Sequence, residues 1–125
     1  MKKARPLEPV GDLQVFKAAF FKALAHPVRI RILELLVRGE RSVQELQERL
    51  GLGQSVVSQQ LSVLRANRIV TGRKQGISVR YVVRDPLVAA LLDVARRIFN
   101  NQLNGSQELL RQLREEHTGR AASRP

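Results

Sequence analysis

The stretch that decides the fold is Gln54-Ser55-Val56-Val57-Ser58-Gln59-Gln60-Leu61-Ser62-Val63-Leu64-Arg65-Ala66-Asn67. At about 100° per residue, Val57, Leu61 and Leu64 point one way, flanked by Val56 and Val63. Ser55, Ser58, Gln59 and Ser62 share an opposite arc about 100° wide. One face of this helix belongs to a core. The other is short, neutral and rich in hydrogen-bonding groups. Gly53, just before it, serves as a candidate N-cap.

The charge around that helix is one-sided. Between Glu48 and Asp85 there is no acidic residue, yet Arg49, Arg65, Arg68, Arg73, Lys74, Arg80 and Arg84 fall there. Residues 69–74 and 78–84 read as strands, the second alternating Val79, Tyr81 and Val83 with Arg80, Val82 and Arg84. Gly76 supplies the positive φ of the connecting turn. The pattern is a β-hairpin with a basic rim and its tip at residues 73–78.

Working upstream, Ser42 and Glu45 form a capping-box pattern that opens a helix striped by Val43, Leu46 and Leu50 and stopped by Gly51. Gln60 lies on the apolar side of the 54–67 helix, so its amide needs internal partners, and it is expected to brace against the helix after Ser42. Pro27 opens an earlier helix, with His26 beside it as a helix-start residue; Ile30, Leu33, Leu36 and Val37 carry that helix to Gly39. Leu13, Phe16, Phe20 and Leu24 recur at helical spacing over residues 12–25. Downstream, Asp85-Pro86 starts a helix striped by Leu87, Leu91, Val94, Ile98 and Leu103. Either Asn104-Gly105 ends it and Ser106 caps a further helix through Leu109, Leu110 and Leu113, or the helix runs through.

The predicted order is α-α-α-α-β-β-α, mainly α with a small β-hairpin. A helix, a tight turn, a second helix and a hairpin together make a winged helix-turn-helix. A flexible arm is expected over residues 1–11, one domain over 12–116 and a disordered tail over 117–125.

At 125 residues the chain is one domain by size, and its formal charge of +11 favours a polyanionic partner. No apolar run approaches the roughly 20 residues that span a bilayer, and the basic residues of 1–9 precede no apolar signal core. A cytoplasmic protein without membrane association is expected. The absence of cysteine removes disulfides, thiolate metal sites and thiol redox switching. No nucleophile and base pair up, no glycine loop suits a phosphate, and no ligands cluster, so an enzyme is not expected.

Double-stranded DNA is the partner that the remaining features fit. In a winged helix-turn-helix the second helix enters the major groove and its exposed N-terminal residues touch base edges. The candidate base readers are Gln54, Ser55, Ser58, Gln59 and Ser62; Gln59 suits an adenine edge through two hydrogen bonds. Arg65, Arg73, Lys74 and Arg80 are the candidate phosphate contacts, which position the protein without reading sequence. The hairpin tip is expected along the backbone or in the adjacent minor groove. The alternative is a non-specific or architectural DNA binder that uses the same charge without a target site.

The first and last helices are more apolar than one small core requires. Phe16 and Phe20 near the start, with Phe21, and Leu87, Leu91, Val94 and Ile98 near the end are therefore candidate dimerisation residues. A homodimer paired through these helices sets two recognition helices about 34 Å apart, one turn of DNA.

Two segments carry a family resemblance. Phe21-Lys22-Ala23-Leu24-Ala25-His26-Pro27-Val28-Arg29-Ile30-Arg31-Ile32-Leu33 and Ser55-Val56-Val57-Ser58-Gln59-Gln60-Leu61-Ser62-Val63-Leu64-Arg65 resemble the ArsR/SmtB family of bacterial repressors, with the likeness extending over about residues 13–100. Within it the chain looks most like a mycobacterial hypoxia-associated branch that lacks metal ligands. The resemblance implies a homodimer that binds an imperfect inverted repeat in promoter DNA, represses transcription and is released by an inducer, a small molecule or a partner protein. The chain departs from the family's metal sensors. Where the Cys-x-Cys pair would stand it has Ser42 and Gln44; where the last-helix set would stand it has Asp93, Ala95, Ser106 and Leu109. No metal site and no cofactor are expected, and neither His26 nor His117 is assigned a metal role.

Overall fold

The computed structural model describes residues 7–103 and 106–122, the side chains of 119–122 excepted. The elements follow in the order α1 (Asp12–Leu24), α2 (Pro27–Leu36), β1 (Arg41–Ser42), α3 (Val43–Leu50), α4 (Gln54–Ala66), β2 (Val70–Gln75), β3 (Ser78–Val83), α5 (Leu87–Gln102) and α6 (Gln107–Ala122).

Local chemistry sets most of these boundaries. His26 caps α2 through Nδ1, which accepts the Val28 N–H at 3.1 Å, and Pro27 fills the first turn where no donor is needed. Ser42 and Glu45 cap α3 reciprocally: the Ser42 hydroxyl accepts the Glu45 N–H at 3.1 Å, and Glu45 Oε1 accepts the Ser42 N–H at 3.2 Å. Gly51 ends α3 in the left-handed region, at φ 66°. Asp85 Oδ1 accepts the Leu87 N–H at 2.9 Å and starts α5.

The core lies where α2, α3 and α4 meet the hairpin. Ile32, Leu33, Leu46, Val57, Leu61, Leu64 and Ile69 are fully buried there. Each such side chain contributes about 1.5–3 kcal/mol by leaving water. The centre of the apolar stripe of α4, Val57, Leu61 and Leu64, is thus taken up by the core, which fixes its polar arc outward. The sheet order is β1-β3-β2, all antiparallel, with Gly72 opposite Tyr81 and Arg73 opposite Arg80. Glycine fits closely at residue 72, because a Cβ there would lie 2.9 Å from Val79 Cγ1 and 3.3 Å from the Tyr81 ring, and those side chains would have to shift.

Three features differ from the sequence expectation, and one resolves an alternative that it left open. Strand β1 was not foreseen: two residues carry no alternation, and the strand exists only through pairing of Arg41 with Tyr81 and Ser42 with Arg80. Helix α2 stops at Leu36 instead of Gly39, because the Arg38 and Gly39 N–H groups bond back three residues to Leu35 and Leu36, tightening the chain into a turn. The last helix is broken, α5 ending at Gln102 and α6 beginning at Gln107; Asn104-Gly105 lies outside the described residues. Finally, α6 runs to Ala122 and so occupies positions 117–122, which had been read as tail. Of the arm, residues 7–10 are exposed and outside any helix or strand; residues 1–6 and 123–125 are not described.

Candidate nucleic-acid interface

The outward arc of α4 is the centre of the site. Gln54, Ser55, Gln59 and Ser62 are exposed, while Ser58 is half-buried. Ser62 spends its hydroxyl on the Ser58 carbonyl at 2.9 Å. Gly53 provides no side-chain cap and the first turn contains no acid, so the positive end of the helix dipole faces outward uncompensated. Arg65 closes the arc, its guanidinium 5.9 Å from the centroid of the Tyr81 ring, a cation–π contact that ties α4 to β3.

The wing is more structured electrostatically than its composition suggested. Arg73 and Arg80 face each other across β2 and β3, a like-charge pair that needs a counter-ion. Glu40 supplies it, pairing with Arg73 and, at 3.3 Å, with Arg80 Nε. Arg80 also donates to Glu45 Oε1 at 2.6 Å and to the Glu40 carbonyl at 3.0 Å. Its guanidinium is thereby pinned between the wing and the start of α3, and its side chain is three-quarters buried. The Ser42 N–H, then Arg80, hold the Glu45 carboxyl below the usual carboxylate range against the opposing effect of burial. The window that is acid-free along the chain is not acid-free in space. Arg73 and Lys74 remain exposed on β2, as does the turn residue Ile77.

The residues read as dimerisation contacts lie on α1 and α5. Phe16 is 75 % exposed and Leu87 71 %, with Val94 and Ile98 about half exposed. Phe20 and Leu91 are half-buried, and the Phe20 ring meets Phe21 edge-on at 5.5 Å. Leu13 and Phe99, on the same two helices, are also exposed, though neither is among the dimerisation candidates from sequence. Between α1, the end of α4 and the start of α5 is a cavity of about 690 Å³, lined by Phe16, Phe20, Ile69 and Leu91 with Asn67, Arg68 and Asp85. Asp93, the one acid matching the last-helix metal pattern, is held by Arg96 at 3.2 Å and Arg97 at 3.0 Å.

Gln60 does not brace against α3. Its Oε1 accepts Arg29 Nη1 at 2.8 Å, so its partner is on α2. The signal was present in the sequence: Arg29 stands three, four and seven residues before Ile32, Leu33 and Leu36, on the face of α2 that is buried. A cation on that face must find acceptors, and Arg29 finds three.

Residues 26–71 match the family model described as bacterial regulatory protein, arsR family. The HTH-type transcriptional regulator Rv0081 of Mycobacterium tuberculosis is 48 % identical over 108 residues, spanning 86 % of this chain and 92 % of that one. Its crystal structure superposes with a TM-score of 0.72 at 47 % identity, over 77 % of this chain and 97 % of that one. The biofilm growth-associated repressor of Xylella fastidiosa is 40 % identical over 85 residues, 68 % of this chain and 75 % of that one. The solution structure of a homodimeric winged helix-turn-helix DNA-binding domain of Mycobacterium bovis Mb0332 superposes with a TM-score of 0.69 at 27 % identity, over 78 % of this chain and 94 % of that one. With its α3–α4 pair, its hairpin wing and this sequence likeness over most of its length, the chain belongs to the arsR family of bacterial regulatory proteins and has their winged helix-turn-helix fold.

Proposed function

We propose that the protein is a homodimeric, sequence-reading repressor that binds an inverted repeat in promoter DNA. Helix α4 lies in the major groove with Gln54, Ser55 and Gln59 at base edges, and Arg65, Arg73 and Lys74 on phosphates. The observation that carries this is the exposed neutral arc of α4, held outward by the buried Val57, Leu61 and Leu64 opposite and bordered by the cations of the wing. Neutral amide and hydroxyl groups distinguish bases by hydrogen-bond pattern, whereas cations attract every phosphate alike. Ser58 and Ser62 play a smaller part, since one is half-buried and the other is bonded within the helix. Arg80, read from sequence as a phosphate contact, serves instead to hold the wing. Pairing of two copies through α1 and α5 covers Phe16, Leu87, Val94 and Ile98 and gives the inverted repeat its two-fold symmetry.

Two substitutions separate reading from grip. Gln59→Ala is expected to relax base preference at one position of each half-site, with a loss of about 1–3 kcal/mol there. Arg73→Ala is expected to weaken all duplexes alike and to lower the salt slope of binding by about one unit. Binding-site selection from a random duplex pool, followed by salt titrations, measures both. Uniform loss on every sequence from both changes would count against base reading.

A further inference from the structure

One guanidinium joins three helices. Arg29, on the buried side of α2, donates Nε to the Ala23 carbonyl at 2.7 Å and Nη2 to the Lys22 carbonyl at 3.4 Å. Both carbonyls belong to the last turn of α1, where a helix runs out of its own donors; that of Lys22 also accepts the Ala25 N–H at 3.1 Å. The remaining arm, Nη1, reaches Gln60 Oε1 on α4 at 2.8 Å. Gln60 immediately follows the exposed Gln59, about 100° further round the same helix. Arg29 and Gln60 are both half-buried, so their hydrogen bonds are partly shielded from competing water.

We propose that Arg29 and Gln60 form a positioning strut that sets the rotation of α4 against the end of α1, and so determines base discrimination without either residue touching DNA. This rests on the reading of α4 as the base reader and adds to it a residue pair that the reading does not otherwise involve. A planar guanidinium gripping the end of α1 by two donors has its third direction fixed, and that direction ends on one side chain of α4. Around a helix of about 3.6 residues per turn, holding Gln60 also fixes where Gln59 and Ser55 point. Hydrogen-bond readout requires that aim to be precise, whereas phosphate contact through long cationic side chains does not. Loss of the strut therefore costs discrimination before it costs attraction.

The test uses the full chain. The preferred site selected from a random duplex pool is compared with random duplex, and the ratio of the two affinities is the readout. Arg29→Met and Gln60→Met are each expected to lower the ratio about tenfold, with the double variant no worse than either single one. Affinity for random duplex and its salt slope should stay as in the wild type. Gln60→Glu keeps an acceptor for Arg29 and should retain the ratio. Thermal unfolding verifies that each variant is folded at the assay temperature, and if Arg29→Met is not, the two Gln60 variants carry the comparison. A ratio unmoved by Gln60→Met overturns the strut, as does a Gln60→Glu protein as deficient as Gln60→Met. A wild-type protein with no preferred site overturns base reading by α4 itself, and the strut's part in discrimination with it.

Discussion

Arg73 and Arg80 stand opposite each other on the wing, yet they have different fates because of one acid. Glu40 contacts both, and Arg80 is then fully engaged by Glu45 and a carbonyl, whereas Arg73 has Glu40 as its acid partner and stays two-thirds exposed. A phosphate approaching Arg73 must therefore displace a carboxylate, which offsets part of the counterion-release gain. Glu40→Gln is expected to tighten binding to random duplex and to steepen its salt slope by a fraction of a unit, measurable by fluorescence titration over a range of salt. An unchanged slope would mean that Glu40 and phosphate do not compete. Arg68 poses a different residue-scale problem. It follows α4 at φ 59° and donates its N–H to the Arg65 carbonyl, while the next N–H, that of Ile69, reaches back to Leu64. This is the helix-ending motif that glycine fills without strain, and a side chain in that conformation costs about 1–2 kcal/mol. Arg68→Gly should raise unfolding free energy by roughly 0.5–1 kcal/mol in urea, the remainder being offset by the entropy of the unfolded glycine. None of this was legible in the sequence at residue scale. The role of Arg80 depends on acids 35 and 40 positions away in the chain, and the composition of a window does not register such partners.

At the scale of elements, signals that are local in the sequence set the helices, and long-range pairing sets the rest. The Ser42–Glu45 box, the His26-Pro27 start, Asp85 and Gly51 each act within a few residues, so their helices begin or end where the sequence predicts. Strand β1 and the early end of α2 carry no such local mark. The capping box has a second duty, since Glu45 also anchors Arg80 and with it the wing. Its carboxyl is held below its ordinary value of 4.5 in the folded protein. Its contribution is therefore complete above that value and is lost as pH falls through the lower folded value. The wild type should accordingly lose stability in acid more steeply than Glu45→Gln, with the difference confined to the carboxylate range; chemical unfolding at stepped pH measures it. Parallel acid limbs would show that the pairing contributes nothing. Within the hairpin, Gly72→Ala drives a methyl group against Val79 and Tyr81. The expected cost is about 1–3 kcal/mol, and the substitution should loosen the wing and the Arg65 contact on Tyr81 together.

At the scale of the whole molecule, the exposed apolar residues of α1 and α5 demand an explanation that the core does not supply. Phe16, Leu87, Val94 and Ile98 are arranged on two helices that flank the base of α4, and exposing them all to water is costly for a protein of this size. Covering them with a second copy turns two weak half-site contacts into one strong event, because the second contact is then made at high effective concentration. That gain depends on geometry, and geometry makes it testable. Two recognition helices fixed about 34 Å apart meet the same face of the duplex only when the half-sites are one turn apart. Inserting about 5 base pairs between the half-sites rotates one of them to the far side, and affinity is expected to fall on the order of 10²-fold, to that of a single half-site. Phe16→Asp should do the same from the protein side, by placing a charge in the apolar seam. It should sediment as a monomer at micromolar concentration and bind intact and respaced operators equally. If the wild type tolerates respacing, or Phe16→Asp remains dimeric, the two copies are not joined through this seam.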